Sequence, residues 1–382
     1  VTGAADGRHW LRRLDVRDFR NLAHVAIDPP ADGIAVVGDN GQGKSNLLEA
    51  IYYLHLLRSA RGARDVDVVR FGAPGFHVGA TVDVDGAVGV GFELAGRRKR
   101  VTVDGVAPAR FSDALGALPA VLFSPSDVAL VRGAPAERRR YLDVMLGVTH
   151  RPYLRALQAY RAALAQRGAA LRSSAAGRVS GRAGGGASTA AFTVWDAPLA
   201  EHGATLVRER AAWVARTADP VAALCAAIGE QGAIRLAYTS QFAAESDPGA
   251  AIADALVRSR ASDLARGVTG AGPHRDDLSL TLDGRDLRAF GSAGQQRTAA
   301  IALRLVEAGT LRDVDGRAPL FLLDDPFAEL DARRAHRILD VVRARGLGQT
   351  VLAVPRPTDI PPELTRLERW TIRDGILARS AA

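Results

Sequence analysis

Eight consecutive residues, Gly38-Asp39-Asn40-Gly41-Gln42-Gly43-Lys44-Ser45, satisfy the pattern G-x-x-x-x-G-K-[ST] in full. That pattern serves one kind of chemistry, the grip on a nucleoside triphosphate such as ATP. Its glycines let the backbone turn N–H groups inward around a β-phosphate, its lysine reaches the β/γ oxygens, and its serine hydroxyl ligates Mg2+. A helix that starts on the loop adds unpaired N–H groups and the positive end of its dipole. Lys44 and Lys99 are the only lysines among 50 Lys and Arg residues, so a chance match here is rare.

Two further stretches complement the loop. Leu320-Phe321-Leu322-Leu323-Asp324-Asp325 reads as an apolar strand ending in two carboxylates. A neighbouring strand of this kind delivers one carboxylate, Asp324, to the water shell of a Mg2+ ion. Its neighbour Asp325 points differently and can polarise an attacking water as a general base. Apolar strands ending in Asp are common; beside an intact phosphate loop the pattern becomes informative. Ser292-Ala293-Gly294-Gln295, just before a helical pattern, offers a hydroxyl, glycine N–H groups and a helix N-terminus to a second anion. The same serine also reads as a plain helix cap worth about 0.5–2 kcal/mol.

The elements that must position these residues follow from periodicity. Ile34 to Val37 is the strand entering the loop, and Asn46 to Leu57 the helix leaving it. Trp10 to Phe19 and Ala23 to Ile27 alternate as half-buried strands, and three later runs, Phe76 to Val84, Val88 to Leu94 and Arg98 to Val103, read as antiparallel hairpins. From Phe111 the spacing turns helical. A short strand at Pro119 to Phe123 precedes helices opened by Ser124-Pro125-Ser126-Asp127 and by Pro135, and a Gly/Ser/Ala-rich stretch, Ser173 to Thr189, reads as a flexible loop. A strand at Leu278 to Leu282, a helix from Thr298 to Leu311, a helix from Asp331 to Arg345, and strands at Thr350 to Val354 and Trp370 to Ile372 complete the chain. No heptads persist long enough for a coiled coil.

Composition bounds the remainder. The chain has 382 residues, 47% of them hydrophobic, which suits one large or two ordinary domains. Its one cysteine, Cys225, excludes an internal disulfide, and without Cys or His nearby it makes no zinc site. Val1 to His9 is polar and glycine-rich and no apolar run approaches membrane-span length, so a cytoplasmic protein with no membrane partner is expected. A net charge of +8 and pI near 10.3 suit a polyanion. Arginine-for-lysine bias discounts that signal. The runs Arg97-Arg98-Lys99-Arg100 and Arg138-Arg139-Arg140, and the loop arginines Arg58, Arg61 and Arg64, read as solvated surface unless they align on one face.

The order of Ser292-x-Gly294-Gln295, then a helix, then the Asp324 strand resembles the signature and metal strand of ATP-binding-cassette enzymes. Asp331, in Glu329-Leu330-Asp331, resembles that class's D-loop. The matching runs narrow the resemblance to the RecF family of SMC-related heads: Phe19-Arg20-Asn21, Gly38 to Tyr53, Phe123-Ser124-Pro125 with Asp127, Arg138-Arg139 with Leu142-Asp143, Gly272-Pro273-His274-Arg275-Asp276-Asp277-Leu278, Gly291 to Thr298, and Leu322 to Asp331. It implies an α/β fold: a P-loop ABC-type ATPase head, SMC-like but without a long coiled coil, carrying an inserted, mostly helical second lobe. The expected divisions are 1–110 and 290–382 for the ATPase lobe and 111–289 for the helical lobe.

The resemblance also implies ATP sandwiched in a homodimer, with the D-loop Asp331 at the partner. It further implies binding of single- and double-stranded DNA at gaps or junctions, and work alongside RecO and RecR in loading the strand-exchange protein during repair. His274 beside Asp276 and Asp277 is expected to be structural. The family's usual Asn is Gly168 in Gln166-Arg167-Gly168, and Val351 to Pro355 lacks the polar residue that cassette ATPases place near the γ-phosphate. A rival reading is an ATPase subunit that drives a membrane permease, and it expects an efficient hydrolytic Glu where Asp325 stands.

Overall fold

The computed structural model describes residues 9–82, 86–179, 190–327, 332–346 and 348–380. They form two compact units, the first made of residues up to Val128, Ala227–Glu230 and the chain from Ala300 onward, the second of Ala129–Ala226 and Gln231–Ala299. Phe111 to Val128, with the strand Ala120–Phe123 inside it, thus pack with the first unit, later than the expected division at 110, and the second unit extends past 289 to Ala299.

The first unit has two sheets. Strands β1 (Leu11–Phe19), β2 (Leu22–Ile27), β4 (Gly75–Val82), β5 (Gly86–Glu93) and β6 (Arg98–Val103) form an antiparallel sheet in the order β2-β1-β4-β5-β6. The second sheet has the order β14-β13-β3-β12-β11-β7: β3 (Gly33–Val37), β7 (Ala120–Phe123), β11 (Leu320–Asp324), β12 (Thr350–Val354), β13 (Glu368–Arg373) and β14 (Ile376–Arg379). Its members are parallel except β14, which pairs antiparallel with β13. Parallel strands covered on both faces read as continuous apolar runs, and β3 and β12 are buried at every residue. Helix α1 (Lys44–Leu56) packs on strands of both sheets, which is why residues as polar as Glu49, His55 and Tyr53 are buried along it. The small helix α2 (Asp65–Val68) follows, and α11 (Ala332–Ala344) links β11 to β12.

The second unit is mainly helical: α3 (Ala129–Arg132), α4 (Pro135–Thr149), α5 (Arg151–Val179), α6 (Ala190–Thr193), α7 (Asp196–Ile228, its last two residues counted with the first unit), α8 (Pro248–Arg266) and α9 (Leu287–Phe290). Helix α10 (Ala293–Asp315) starts in this unit and continues in the first. Three departures from expectation stand out. The first part of the loop foreseen at Ser173 to Thr189 is helical, because α5 continues through Val179; the rest of that stretch, 180–189, lies outside the described residues. The expected strand at Leu278 to Leu282, β9 (Asp277–Leu282), is joined by two that were not foreseen, β8 (Ile234–Thr239) and β10 (Arg285–Asp286), in a small sheet of order β10-β9-β8. Finally, α7 is long and apolar enough by length and composition to cross a membrane, against the expectation that no run is. Its apolar side chains Leu206, Val207, Trp213, Val214, Val221 and Leu224 are buried within this protein.

Candidate nucleotide site

The phosphate loop leaves the sheet where β3 ends, and its shape is set by close approaches. A Cβ at Gly38 would lie 2.4 Å from the Ile372 carbonyl oxygen of β13. Gly43 has φ +115°, the left-handed region that glycine tolerates best, and a Cβ there would meet the Asn21 carboxamide at 2.8 Å. The crown is held from two sides. Asn21 Nδ2 donates to the Gln42 carbonyl (3.1 Å), as does the Gly375 N–H (2.9 Å), and the Asp374 N–H donates to Gln42 Oε1 (2.6 Å). Sequence reasoning missed this clamp. Asp374-Gly375 carries an ordinary hairpin-turn signal, but nothing in it says what the turn will touch.

Lys44 is buried, and its ammonium donates to the carbonyls of Gly38 (2.6 Å) and Asp39 (2.9 Å). An ammonium has three donors, so the loop leaves one for a phosphate oxygen. Burial pulls the Lys44 pKa down, while Asp324, Asp325 and Asp39 pull it back up. Helix α1 starts at Lys44 with no side-chain cap, so its first N–H groups suit an anion. The residues therefore fit a triphosphate.

They also fit a magnesium ion. Ser45 Oγ donates to Asp324 Oδ1 at 2.8 Å across 279 residues of sequence. Burial pushes the Asp324 carboxyl above its ordinary range, eased by the Ser45 hydrogen bond and by Arg61 and Lys44. A carboxylate whose charge is disfavoured by burial gains from a cation beside it. Among the described residues no three His, Cys, Asp or Glu groups gather to hold a metal. The pair would supply two oxygens and leave the remaining positions to water and phosphate, as Mg2+ sites do. Asp325 follows at the end of β11 with φ +45°, its N–H donating to Ala353 (2.9 Å).

One turn along α1, the buried Glu49 accepts two hydrogen bonds from Arg20 (both 3.1 Å) and one from Ser59 (2.5 Å). Arg61 donates to Asn46 (3.1 Å) and lies 3.6 Å from Glu49. Arg64, an exposed partner of Asp67, and Arg61 both lie at the surface as expected, Arg61 with its guanidinium turned toward Asn46 and Glu49. A glutamate within the apolar run Leu47 to Leu54 is the signal that would have pointed to these partners.

The serine corner belongs to the second unit. Ser292 Oγ accepts from the Gln295 N–H (3.3 Å), and Gln295 Oε1 accepts from the Ser292 N–H (2.9 Å), a reciprocal capping box. Ser292 is exposed and Gly294 half-buried, with Phe290 nearby in sequence 73% exposed. Behind them the buried Gln296 donates to the carbonyls of Leu287 (2.9 Å) and Arg288 (3.2 Å). Asp331 lies outside the described residues.

Two of the family-like runs meet in the second unit's core. Arg138, buried rather than solvated as expected, makes a bidentate pair with Asp277 (2.7 and 2.8 Å), and Arg139 donates to the Asp276 carbonyl (2.7 Å). Arg210 joins Asp143 (2.7 Å), Tyr153 (3.0 Å) and the Pro273 carbonyl (2.8 Å). His274 bridges the Tyr160 hydroxyl (Nδ1, 2.6 Å) and the Thr269 carbonyl (Nε2, 3.0 Å), and burial lowers its pKa to about 4. Both ring nitrogens are spent on packing partners, the structural role expected of it. Arg167 is wholly buried, joined to Asp196 (2.9 Å), Asp263 (2.8 Å) and Thr269 (2.9 Å).

Comparison with known proteins agrees with this geometry. The RecF/RecN/SMC N-terminal domain family matches residues 10–354. The DNA replication and repair protein RecF of Frankia alni is 38% identical over 97% of this chain and 100% of its own. That of Acidothermus cellulolyticus is 40% identical over 92% and 95%. Among solved structures, the recombination mediator protein RecF-ATP in the RecFOR pathway superposes with TM-score 0.88 at 27% identity over all of both chains. An Smc head domain from Pyrococcus furiosus, at 18% identity over 97% of this chain and 95% of that one, shares the fold with TM-score 0.54. The chain belongs to the RecF family of DNA replication and repair proteins, built on the SMC-like ATPase head.

Proposed function

We propose that the chain is an ATP-gated switch on DNA that acts in recombinational repair and replication restart. The observation that carries this reading is the convergence of Lys44, Ser45 and Asp324 on one uncapped helix start. Lys44 and the loop N–H groups of Gly38 to Ser45 hold the phosphates of ATP. Ser45 and Asp324 hold Mg2+, which when bound neutralises phosphate charge. Asp325 takes a proton from the attacking water; its side chain is one methylene shorter than glutamate, so turnover is slow. Ser292, Gly294 and Gln295 of a second copy, with the D-loop Asp331, complete the γ-phosphate contacts, so ATP favours a homodimer by its added contacts there.

The relatives' names and the solved RecF-ATP structure support ATP and DNA as ligands. The rest of the reading is cytoplasmic action in the SOS response at gapped DNA or single-strand/double-strand junctions, helping RecO and RecR load the strand-exchange protein. A mobility-shift series on gapped duplex with ATP, ADP or no nucleotide tests the switch: ATP should tighten binding relative to ADP, and equal binding in all three states would exclude gating. Asp325→Asn should abolish turnover while sparing ATP binding; turnover at the wild-type rate would remove Asp325 from its role.

A further inference from the structure

The five-stranded sheet of the first unit buries one face with Phe76, Val78, Val88, Val90 and Phe92 and turns the other to solvent. The register aligns the outward residues in rows across the strands. One row reads His24, Arg17, His77, Gly91, Arg100, and the next Ala26, Asp15, Gly79, Gly89, Thr102. Arg13 on β1 and Arg98 on β6 extend the two sides. Arginines thus stand on β1 and β6, three strand spacings or about 14 Å apart. Between them, in these two rows, β4 and β5 carry Gly79, Gly89 and Gly91 and the exposed His77, whose ring lies within 4 Å of where a Cβ at any of the three would stand.

The run Arg97-Arg98-Lys99-Arg100 is divided by the strand. Lys99 turns inward, donating to the Tyr53 hydroxyl (2.6 Å), Asp65 (3.1 Å) and the Leu57 carbonyl. Arg98 and Arg100 turn outward, exposed, and among the described residues neither forms an ion pair. The negative groups on the face are few: Asp15 is engaged by Arg17 (2.9 Å) and lies 3.8 Å from His24, Asp28 lies 3.6 Å from Arg13, and Glu93 stands across from Arg98. Two unpaired like charges two residues apart on one strand, about 7 Å, repel each other. Interior strand glycines forfeit packing and often mark where another backbone comes close.

Resting on the DNA-binding reading above, we propose that this outward face is where the nucleic-acid backbone docks, its phosphates on Arg98 and Arg100 at one rim and Arg13 and Arg17 at the other. The three glycines keep the floor low enough to admit the backbone near the sheet, and with His77 the one large side chain that β4 and β5 place in these two rows, the contact reads phosphate rather than base.

Duplex binding by the full chain, followed by fluorescence anisotropy across a salt series with ATP binding measured in parallel, tests the assignment. The double variant R98Q/R100Q should weaken binding and lower the magnitude of the salt slope by about two, close to one per lost phosphate contact, with ATP affinity unchanged. A Cβ at Gly91 would meet nothing nearer than 3.8 Å, so G91E places a carboxylate on the floor without strain and should weaken binding at least as much. Wild-type DNA affinity and slope in both variants, while the wild type binds DNA, would overturn the face alone. A wild-type chain that binds no duplex even at low salt would overturn the DNA reading and this one with it. Competition by polyglutamate as effective as by DNA, charge for charge, would assign the face to an acidic protein instead.

Discussion

The phosphate loop and the serine corner are both glycine-bearing turns opening a helix, yet they are built in opposite ways. The loop is anchored by two turns remote in sequence, at Asn21 and at Asp374-Gly375, and its lysine is buried against its own carbonyls. It closes on a helix with no side-chain cap. The corner's helix is capped by the corner's own exposed Ser292 and half-buried Gln295. The first is a receptor prepared by its own chain and short of only an anion. The second is internally satisfied, and under the proposed function it works only when a second copy is brought to it.

Substitutions at matching positions should separate the two. Lys44→Ala removes a charge-assisted donor worth about 1.5–3 kcal/mol, so ATP affinity by calorimetry should fall roughly ten- to 150-fold; an unchanged affinity would contradict the grip. Gly43→Ala should cost about 1–3 kcal/mol of stability from its left-handed backbone, with further loss from the Asn21 clash. Gly294→Ala, inside the first turn of α10, should instead raise thermal stability by up to about 1 kcal/mol. Equal signs in those two melts would erase the contrast. Ser292→Ala should cost about 1 kcal/mol through the lost cap and leave the ATP affinity of the monomer as it was, while abolishing ATP-dependent association in sedimentation.

The smallest effect concerns protons. Because burial raises the Asp324 pKa, the folded state holds this proton more tightly than the unfolded chain does. Its contribution to stability therefore falls as pH rises from the ordinary carboxylate range through the raised value. Mg2+-ATP favours the ionised form, so its gain in melting temperature should shrink on acidification into that range. Asp324→Asn should remove this dependence, and a gain that is flat with pH in the wild type would contradict it.

Legibility in the sequence followed locality. The loop, its helix and the β11 carboxylates were readable because each is a contiguous pattern with a short-range cause. The sheet partners were less so: β8 and β14 are short, and β8 gains its place only by pairing with β9 some forty residues on. Arg138 looked like one of three solvated arginines until Asp277 arrived from a distant segment. Lys99 looked like part of a basic run, although strand alternation separates it from Arg98 and Arg100. Periodicity can say that two residues share a face; it cannot name the carboxylate waiting across the core.

Mixing two defective variants tests the central claim most directly. Lys44→Ala keeps an intact serine corner and Ser292→Arg keeps an intact loop, so each alone should stay monomeric with ATP in analytical ultracentrifugation. The mixture should form a heterodimer holding one nucleotide. If it sediments as monomers at every concentration while the wild type dimerises, no site is shared between copies, and a wild type that never dimerises with ATP contradicts the account outright.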